Sequence, residues 1–290
     1  MQKQRIYPKT VYPFESKWIN IKGNNIHYID EGKGKTILFC HPPVSSSFMY
    51  RNLIKQLSVC YRCVTLDFPG FGLSDAAPDY DQSIRSQSVI IESFLEQLQL
   101  KEIFLLMQEV GGHATIIALM KQPANLKGII LTDTIIFPVS AYPKIFKMLN
   151  FVNGGIFNFL NCNFNLLIRA MTRFGINNRK LSKEERNVYK ELFNTKEKRE
   201  LITFMLHQLV VEEPLLRNIQ TAFETIFNKV PALLIYGSKD PLHKLGIPER
   251  INAMLTNSEL HFIIGEGHFP HEGEPEKMTV IIKDWMNKRE

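Results

Sequence analysis

The chain has 290 residues, enough for one large α/β domain with an insertion or for two small domains, and its 44% hydrophobic and 22% charged content is ordinary for a globular protein. Its 35 basic and 29 acidic residues leave a net charge of +6, spread without a basic stripe among aromatics, which argues against a nucleic-acid partner. The four cysteines argue for a reducing compartment over a disulfide scaffold: Cys60 and Cys63 form a lone CxxC with no second pair at metal-site spacing, so they read as free thiols and no metal is expected.

Residues 1–8 lack the apolar core of a signal peptide. No apolar run reaches the length of about 18 residues that a membrane span needs. A cytoplasmic location with no membrane partner is the expectation. Residues 18–21 and 26–30 alternate about the turn Lys22-Gly23-Asn24-Asn25, which predicts an antiparallel hairpin. Strands at 36–40, 63–67, 103–107 and 126–133 then alternate with helices at 48–57, 81–98 and 110–120, the pattern of a parallel sheet covered on both faces.

The alternation stops at Pro138. Helical periodicity covers 144–149, 155–172, 182–193 and 195–209, and two of these segments open on Ser182 and Thr195 as capping residues. Strands resume at 231–236 and 259–264, and a helix at 274–288 closes the chain. The fold class is therefore α/β, with residues 1–137 and 217–290 as the core and 138–216 as an inserted helical cap.

The strand 103–107 leads through Gln108-Glu109-Val110 into Gly111-Gly112 and a helix, as in a nucleophile elbow, where a sharp turn lifts one side chain above the sheet edge. Glu109 stands at the tip. Asp240 and His268 also fall just past strand ends, and the order nucleophile position, acid, His is that of the α/β-hydrolase triad. A carboxylate would fix the tautomer of His268, whose imidazole would touch Glu109 and an activated water. Asp133, at another strand end, is the alternative acid.

With these residues in place, the chain resembles the α/β-hydrolase superfamily, and within it the haloalkane dehalogenase and epoxide hydrolase branch. Tyr28-Ile29-Asp30-Glu31-Gly32, His41-Pro42-Pro43-Val44, Asp67-Phe68-Pro69-Gly70-Phe71-Gly72 and Gly267-His268-Phe269 carry the likeness, and so do Leu181-Ser182-Lys183-Glu184-Glu185 with Tyr189 in the cap. The resemblance implies a hydrolase without cofactor. It also shows where the chain departs from its family. The dehalogenase elbow is Gln-Asp-Trp-Gly-Gly, whereas Glu109 and Val110 stand here, so the indole that would hold a halide is missing. Pro43 replaces a second donor, and dehalogenation is not expected. In this fold one oxyanion-hole N–H follows the nucleophile and another comes from the His41 loop. Val110 supplies the first, and Pro43 has no N–H to give. Loss of one such donor costs on the order of 10²–10³ in rate, unless the Val44 amide or Ser45 hydroxyl substitutes.

Three readings of Glu109 stand open. It is a nucleophile forming an ester that His268 then helps water to cleave; it is an acid/base partner of His268, as in a lyase or isomerase; or the protein binds ligand without catalysis. His41 is expected to shape the oxyanion loop and His113 to pack under the elbow. His271 and Glu272 are expected at the rim or surface, Tyr189 on a surface-like helix, and Arg169, Arg173, Arg179 and Lys180 on a solvated face. The apolar series from Ile145 to Phe164 is expected mostly to pack on the core and partly to line a pocket for a small apolar molecule. The protein is expected to be a monomer or homodimer.

Overall fold

The computed structural model describes residues 7–289, so the reading of residues 1–6 lies outside the described residues. The chain runs β1 (Lys17–Ile21), β2 (Asn24–Glu31), β3 (Thr36–Cys40), α1 (Arg51–Leu57), β4 (Arg62–Leu66), α2 (Ile84–Gln97), β5 (Ile103–Met107), α3 (Glu109–Met120) and β6 (Leu126–Thr132). Next come the helices α4 (Pro143–Asn153), α5 (Gly155–Phe164), α6 (Leu166–Ala170), α7 (Lys183–Leu192), α8 (Lys196–Val211) and α9 (Glu213–Glu224). The fold closes with β7 (Ala232–Gly237), α10 (Ile247–Met254), β8 (Ser258–Ile263), α11 (Pro270–Gly273) and α12 (Pro275–Asn287).

The strands form one sheet in the order β1-β2-β4-β3-β5-β6-β7-β8. β1 and β2 pair antiparallel, as does β2 with β4, and every other neighbour is parallel. All eight expected strands are present. The central ones, β3 and β5, are buried along their whole length, as strands covered on both faces must be. Because β3, β5, β6, β7 and β8 run parallel, their C-terminal ends share one edge, and the loops there build the site.

The helical segment differs in detail from its expected form. The helix expected over 155–172 breaks at Asn165, which takes a left-handed φ of 53° and separates α5 from α6. Asn tolerates that conformation better than most residues. The boundary at 216 falls inside α9, a helix not foreseen, which packs against α3 of the core. Its buried Leu215, Leu216, Ile219, Ala222 and Phe223 follow helical spacing and face inward. α10 was likewise not foreseen.

The apolar series of α4 and α5 does not lie where expected. Ile145, Leu149 and Val152 are buried and hold α4 on α8, but Phe146, Met148, Phe151, Ile156, Phe159, Leu160 and Phe164 are exposed. One narrow stripe per helix satisfies the packing on α8, and the remaining apolar side chains face outward.

Candidate active site

The turn after β5 is tight. Gln108 is extended (φ −133°, ψ 130°), Glu109 is left-handed at φ 49°, and α3 begins at once. A left-handed residue other than glycine is uncommon, and strain of this kind costs about 1–3 kcal/mol and gathers at functional sites. The turn is held from outside. The Glu109 N–H donates to Thr134 Oγ1 at 3.0 Å, and Gln108 Nε2 donates to the His268 carbonyl at 2.8 Å. Gly111 is required by close approach, since a Cβ there would lie 2.1 Å from the His41 carbonyl oxygen and 2.8 Å from Phe68.

The structure brings Glu109, His268 and Asp240 together. His268 Nδ1 lies 2.9 Å from Asp240 Oδ2, and His268 Nε2 lies 3.0 Å from Glu109 Oε1. Asp240 is fully buried, whereas Glu109 and His268 keep 20% and 21% of their side chains exposed, so solvent reaches the carboxylate. Burial opposes a charge on His268, but Asp240 and Glu109 together outweigh it and raise the imidazole well above its ordinary pKa. The ring is thereby favoured as a cation, bridging Asp240 and Glu109.

Asp133 is the third carboxyl. It is left-handed at φ 40°, fully buried, and accepts from the Gly237 N–H at 3.0 Å and the Thr132 hydroxyl at 2.9 Å. Burial raises its pKa, and the charge of Asp240 and their mutual hydrogen bond raise it further. Burial also acts to raise Asp240, but His268 and the hydrogen bond from Asp133 outweigh that and lower it. Asp240 is therefore the charged member that touches His268, and Asp133 is the protonated member behind it.

The loop after β3 shapes the other side of the site. His41 Nδ1 donates to the Pro42 carbonyl at 2.9 Å, and Nε2 accepts the Phe68 N–H at 3.1 Å. Burial lowers its pKa, so the ring is neutral and spends both nitrogens on the backbone. The Ser45 N–H is taken up by the Pro42 carbonyl at 3.2 Å. Among the described residues no hydrogen bond engages the Val44 amide, which follows Pro43 in the chain. The Val110 N–H, in the first turn of α3, points out of the helix with the positive end of its dipole. His113 Nε2 donates to the Ile135 carbonyl at 2.6 Å and packs, buried, under the elbow.

Several residues lie elsewhere than expected. His271 and Glu272 are fully buried, not at a rim. Glu272 joins Arg51, Arg179, Glu185 and Tyr189 in one network: Arg51 and Tyr189 both donate to its Oε1, Arg179 Nη2 lies 2.9 Å from its Oε2, and Glu185 Oε1 lies 2.5 Å from Arg51 Nη2. Tyr189 is thus buried with its proton committed to Glu272, and the Tyr142 hydroxyl accepts from Arg250 at 2.9 Å. Arg179 belongs to this network, whereas Arg169, Arg173 and Lys180 are exposed. Three positioning groups escape sequence reasoning: Thr134, Gln108 and Glu266. The carboxylate of Glu266 accepts from the Asn177 and Asn178 amides at 2.6 and 2.9 Å and ties the loop before His268 to the helical segment. Its place between Gly265 and Gly267 is the one signal that marks it in the sequence. A cavity of about 1000 Å³ is lined by Trp18, Gly70, Asp81, Gln82, Glu197 and Phe204 among others, and none of the triad borders it.

A family model described as the alpha/beta hydrolase fold matches residues 35–275. The chain belongs to that family. Haloalkane dehalogenases are among the proteins it is similar to. It is 28% identical over 275 residues to haloalkane dehalogenase 2 of Mycobacterium tuberculosis, covering 94% of this chain and 95% of the relative. It is 27% identical over 290 residues to a cis-3-alkyl-4-alkyloxetan-2-one decarboxylase of Shewanella oneidensis, covering 97% and 91%. The crystal structure of haloalkane dehalogenase DbeA from Bradyrhizobium elkani superposes with a TM-score of 0.81 at 20% identity, covering 95% of this hydrolase and 98% of that chain, a likeness of fold. Among the described residues no helix is long and apolar enough to cross a membrane.

Proposed function

We propose that this enzyme hydrolyses a small apolar substrate at an electrophilic carbon through an ester of Glu109. The contact of 3.0 Å between Glu109 Oε1 and His268 Nε2, backed by Asp240, carries the reading. Glu109 attacks as an anion, its oxygen bonds to the substrate carbon, and the leaving group departs with the bonding electrons and the His268 proton. The ester is uncharged, so His268 loses one of the two carboxylates that held its proton and becomes a base. Water gives it a proton and adds to the Glu109 carbonyl carbon, with the oxyanion at the Val110 N–H. Collapse releases the alcohol and restores Glu109 with a cationic His268.

Val110 offers no side-chain N–H, and Pro43 offers neither a side-chain nor a backbone N–H, so little is left to hold a departing halide. An oxygen leaving group that carries off the His268 proton suits the site better, and we favour esters and lactones attacked at the alkyl carbon of the C–O bond, because attack at the acyl carbon would give an anhydride of Glu109 in place of the ester. The test is a panel of esters, lactones, epoxides and haloalkanes with wild type and His268→Ala, read by intact-protein mass. His268→Ala should accumulate an adduct on Glu109. Turnover by wild type with no adduct on any substrate in the variant overturns the covalent reading.

The name of the Shewanella relative favours a second reading on the same residues. Attack of Glu109 on C4 of an oxetan-2-one would break the ring C–O bond and free a carboxylate. Loss of carbon dioxide would then expel Glu109 and leave an alkene, with no water consumed. Single turnover in ¹⁸O-water separates the two: hydrolysis labels Glu109, and decarboxylation leaves it unlabelled and yields the alkene.

A further inference from the structure

From residue 134 to residue 183 the chain contains no Asp or Glu, while Lys144, Lys147, Arg169, Arg173, Arg179, Lys180 and Lys183 fall within it. Arg179 is engaged in the buried network, and the other six are exposed with no ion-pair partner among the described residues. This cationic stretch is also where α4 and α5 turn apolar side chains outward. Phe151 is 67% exposed, Ile156 83% and Phe159 65%. Met148 and Phe151 stand three residues apart on α4, and Ile156, Phe159 and Leu160 follow the same spacing on α5, so each helix carries an outward apolar stripe. The Phe151 and Phe157 rings meet at 5.3 Å where α4 and α5 adjoin. Lys144 precedes Met148 by one helical turn, and Lys147 precedes Phe151 likewise, which sets cations beside the apolar groups on one face.

We propose that this outer face of α4 and α5 docks the protein on an anionic lipid surface. Helices with an apolar face and flanking Lys or Arg lie in the headgroup layer, with aromatic and aliphatic side chains inserted and cations against anionic lipid. Large apolar side chains exposed together on two adjoining helices mark an interaction site. The charge distribution selects the occupant. A second copy packed on the same face would set cations against cations, since neither α4 nor α5 carries an acidic residue. A bilayer rich in anionic headgroups meets both the charge and the apolar stripes. The proposal replaces the expectation that this face is merely solvated, and it stands apart from the chemistry at Glu109.

The experiment is co-sedimentation of the full chain with vesicles of phosphatidylcholine alone, or of about three parts phosphatidylcholine to one part phosphatidylglycerol. Wild type should pellet with the anionic vesicles at low salt, at least about tenfold more than with the neutral ones, and should be released as salt rises to about 0.5 M. The variant Phe151→Asp/Ile156→Asp/Phe159→Asp should stay in the supernatant and keep its turnover on a soluble substrate. Lys144→Glu/Lys147→Glu should lose the preference for anionic vesicles, which gives a reading that does not depend on the apolar variant folding. The proposal is overturned if wild type stays in the supernatant with both vesicles, or if either variant binds as wild type does. It is also overturned if light scattering shows a wild-type dimer that the apolar variant turns into a monomer.

Discussion

Asp133 holds the proton of a buried carboxyl pair whose charge rests on Asp240. Burial and the neighbouring charge raise the one, while His268 and the hydrogen bond lower the other. An Asn at 133 has the shape of the protonated acid: its oxygen can accept the Gly237 N–H and its amide can donate to Asp240. Asp133→Asn should therefore keep kcat/KM within about threefold. Asp240→Asn loses the anion that stabilises the imidazolium and should drop the rate by about 10³–10⁴, as when a triad acid is neutralised. Steady-state kinetics on the best ester or lactone decides it, and equal losses in the two variants would remove the distinction between them.

The same pair sets a pH dependence of stability. Folded Asp133 keeps its proton where the unfolded chain, with an ordinary pKa of about 3.9, has lost it. The native state then binds more protons, so this residue makes stability fall as pH rises above about 4. Asp240 acts the other way: its folded pKa is depressed, so its contribution is present above about pH 4 and is lost as pH falls. Asp133→Asn cannot titrate. Its stability relative to wild type should climb between pH 4 and pH 7, by about 1.4 kcal/mol for each unit by which the folded pKa exceeds the unfolded one. Urea midpoints across that range test it, and parallel curves would show that Asp133 is already ionised.

The strands are legible because each is a short apolar or alternating run between turn residues, and a buried parallel sheet tolerates little else at those positions. The elbow is legible for a related reason, since Gly111 must admit the His41 backbone. What hides from the sequence is set by partners far along the chain. Tyr189 sits among Glu, Arg and Lys on α7 and reads as surface, yet its hydroxyl meets Glu272, 83 residues away. Glu272 in turn meets Arg51, 221 residues away. Local pattern reports polarity, but it cannot report that two charged residues neutralise each other inside the fold.

Thr134 is another group that pattern could not reveal. Its hydroxyl accepts the Glu109 N–H and so holds the residue at the tip of the elbow. Thr134→Val keeps the shape and removes the acceptor, leaving a partly buried N–H unpaired at a cost of about 1–3 kcal/mol. The carboxylate of Glu109 would shift with its backbone, and a displacement of about an ångström can cost on the order of 100-fold in rate. Thr134→Ser restores the acceptor and should recover most of the activity. Kinetics and thermal melting on the three proteins give the answer, and a Val variant with wild-type kcat would show that the turn holds itself.

The network around Glu272 should be the costliest place to cut outside the triad. Arg51 and Arg179 balance Glu185 and Glu272, so the cluster is neutral as a whole, and Arg51 is almost wholly buried. Removing Glu272 leaves one positive charge uncompensated beside a buried guanidinium, for which a loss of about 3–5 kcal/mol is typical. Glu272→Ala should lower the free energy of unfolding by that amount, read from the shift of the denaturation midpoint. Tyr189→Phe removes one hydrogen bond to the same carboxylate and should cost about 1.5–3 kcal/mol, because the acceptor is charged. The double variant should cost less than the sum, since without Glu272 the Tyr189 hydroxyl has already lost its carboxylate. Additive losses in this cycle would mean that the Tyr189 hydroxyl and Glu272 are not coupled.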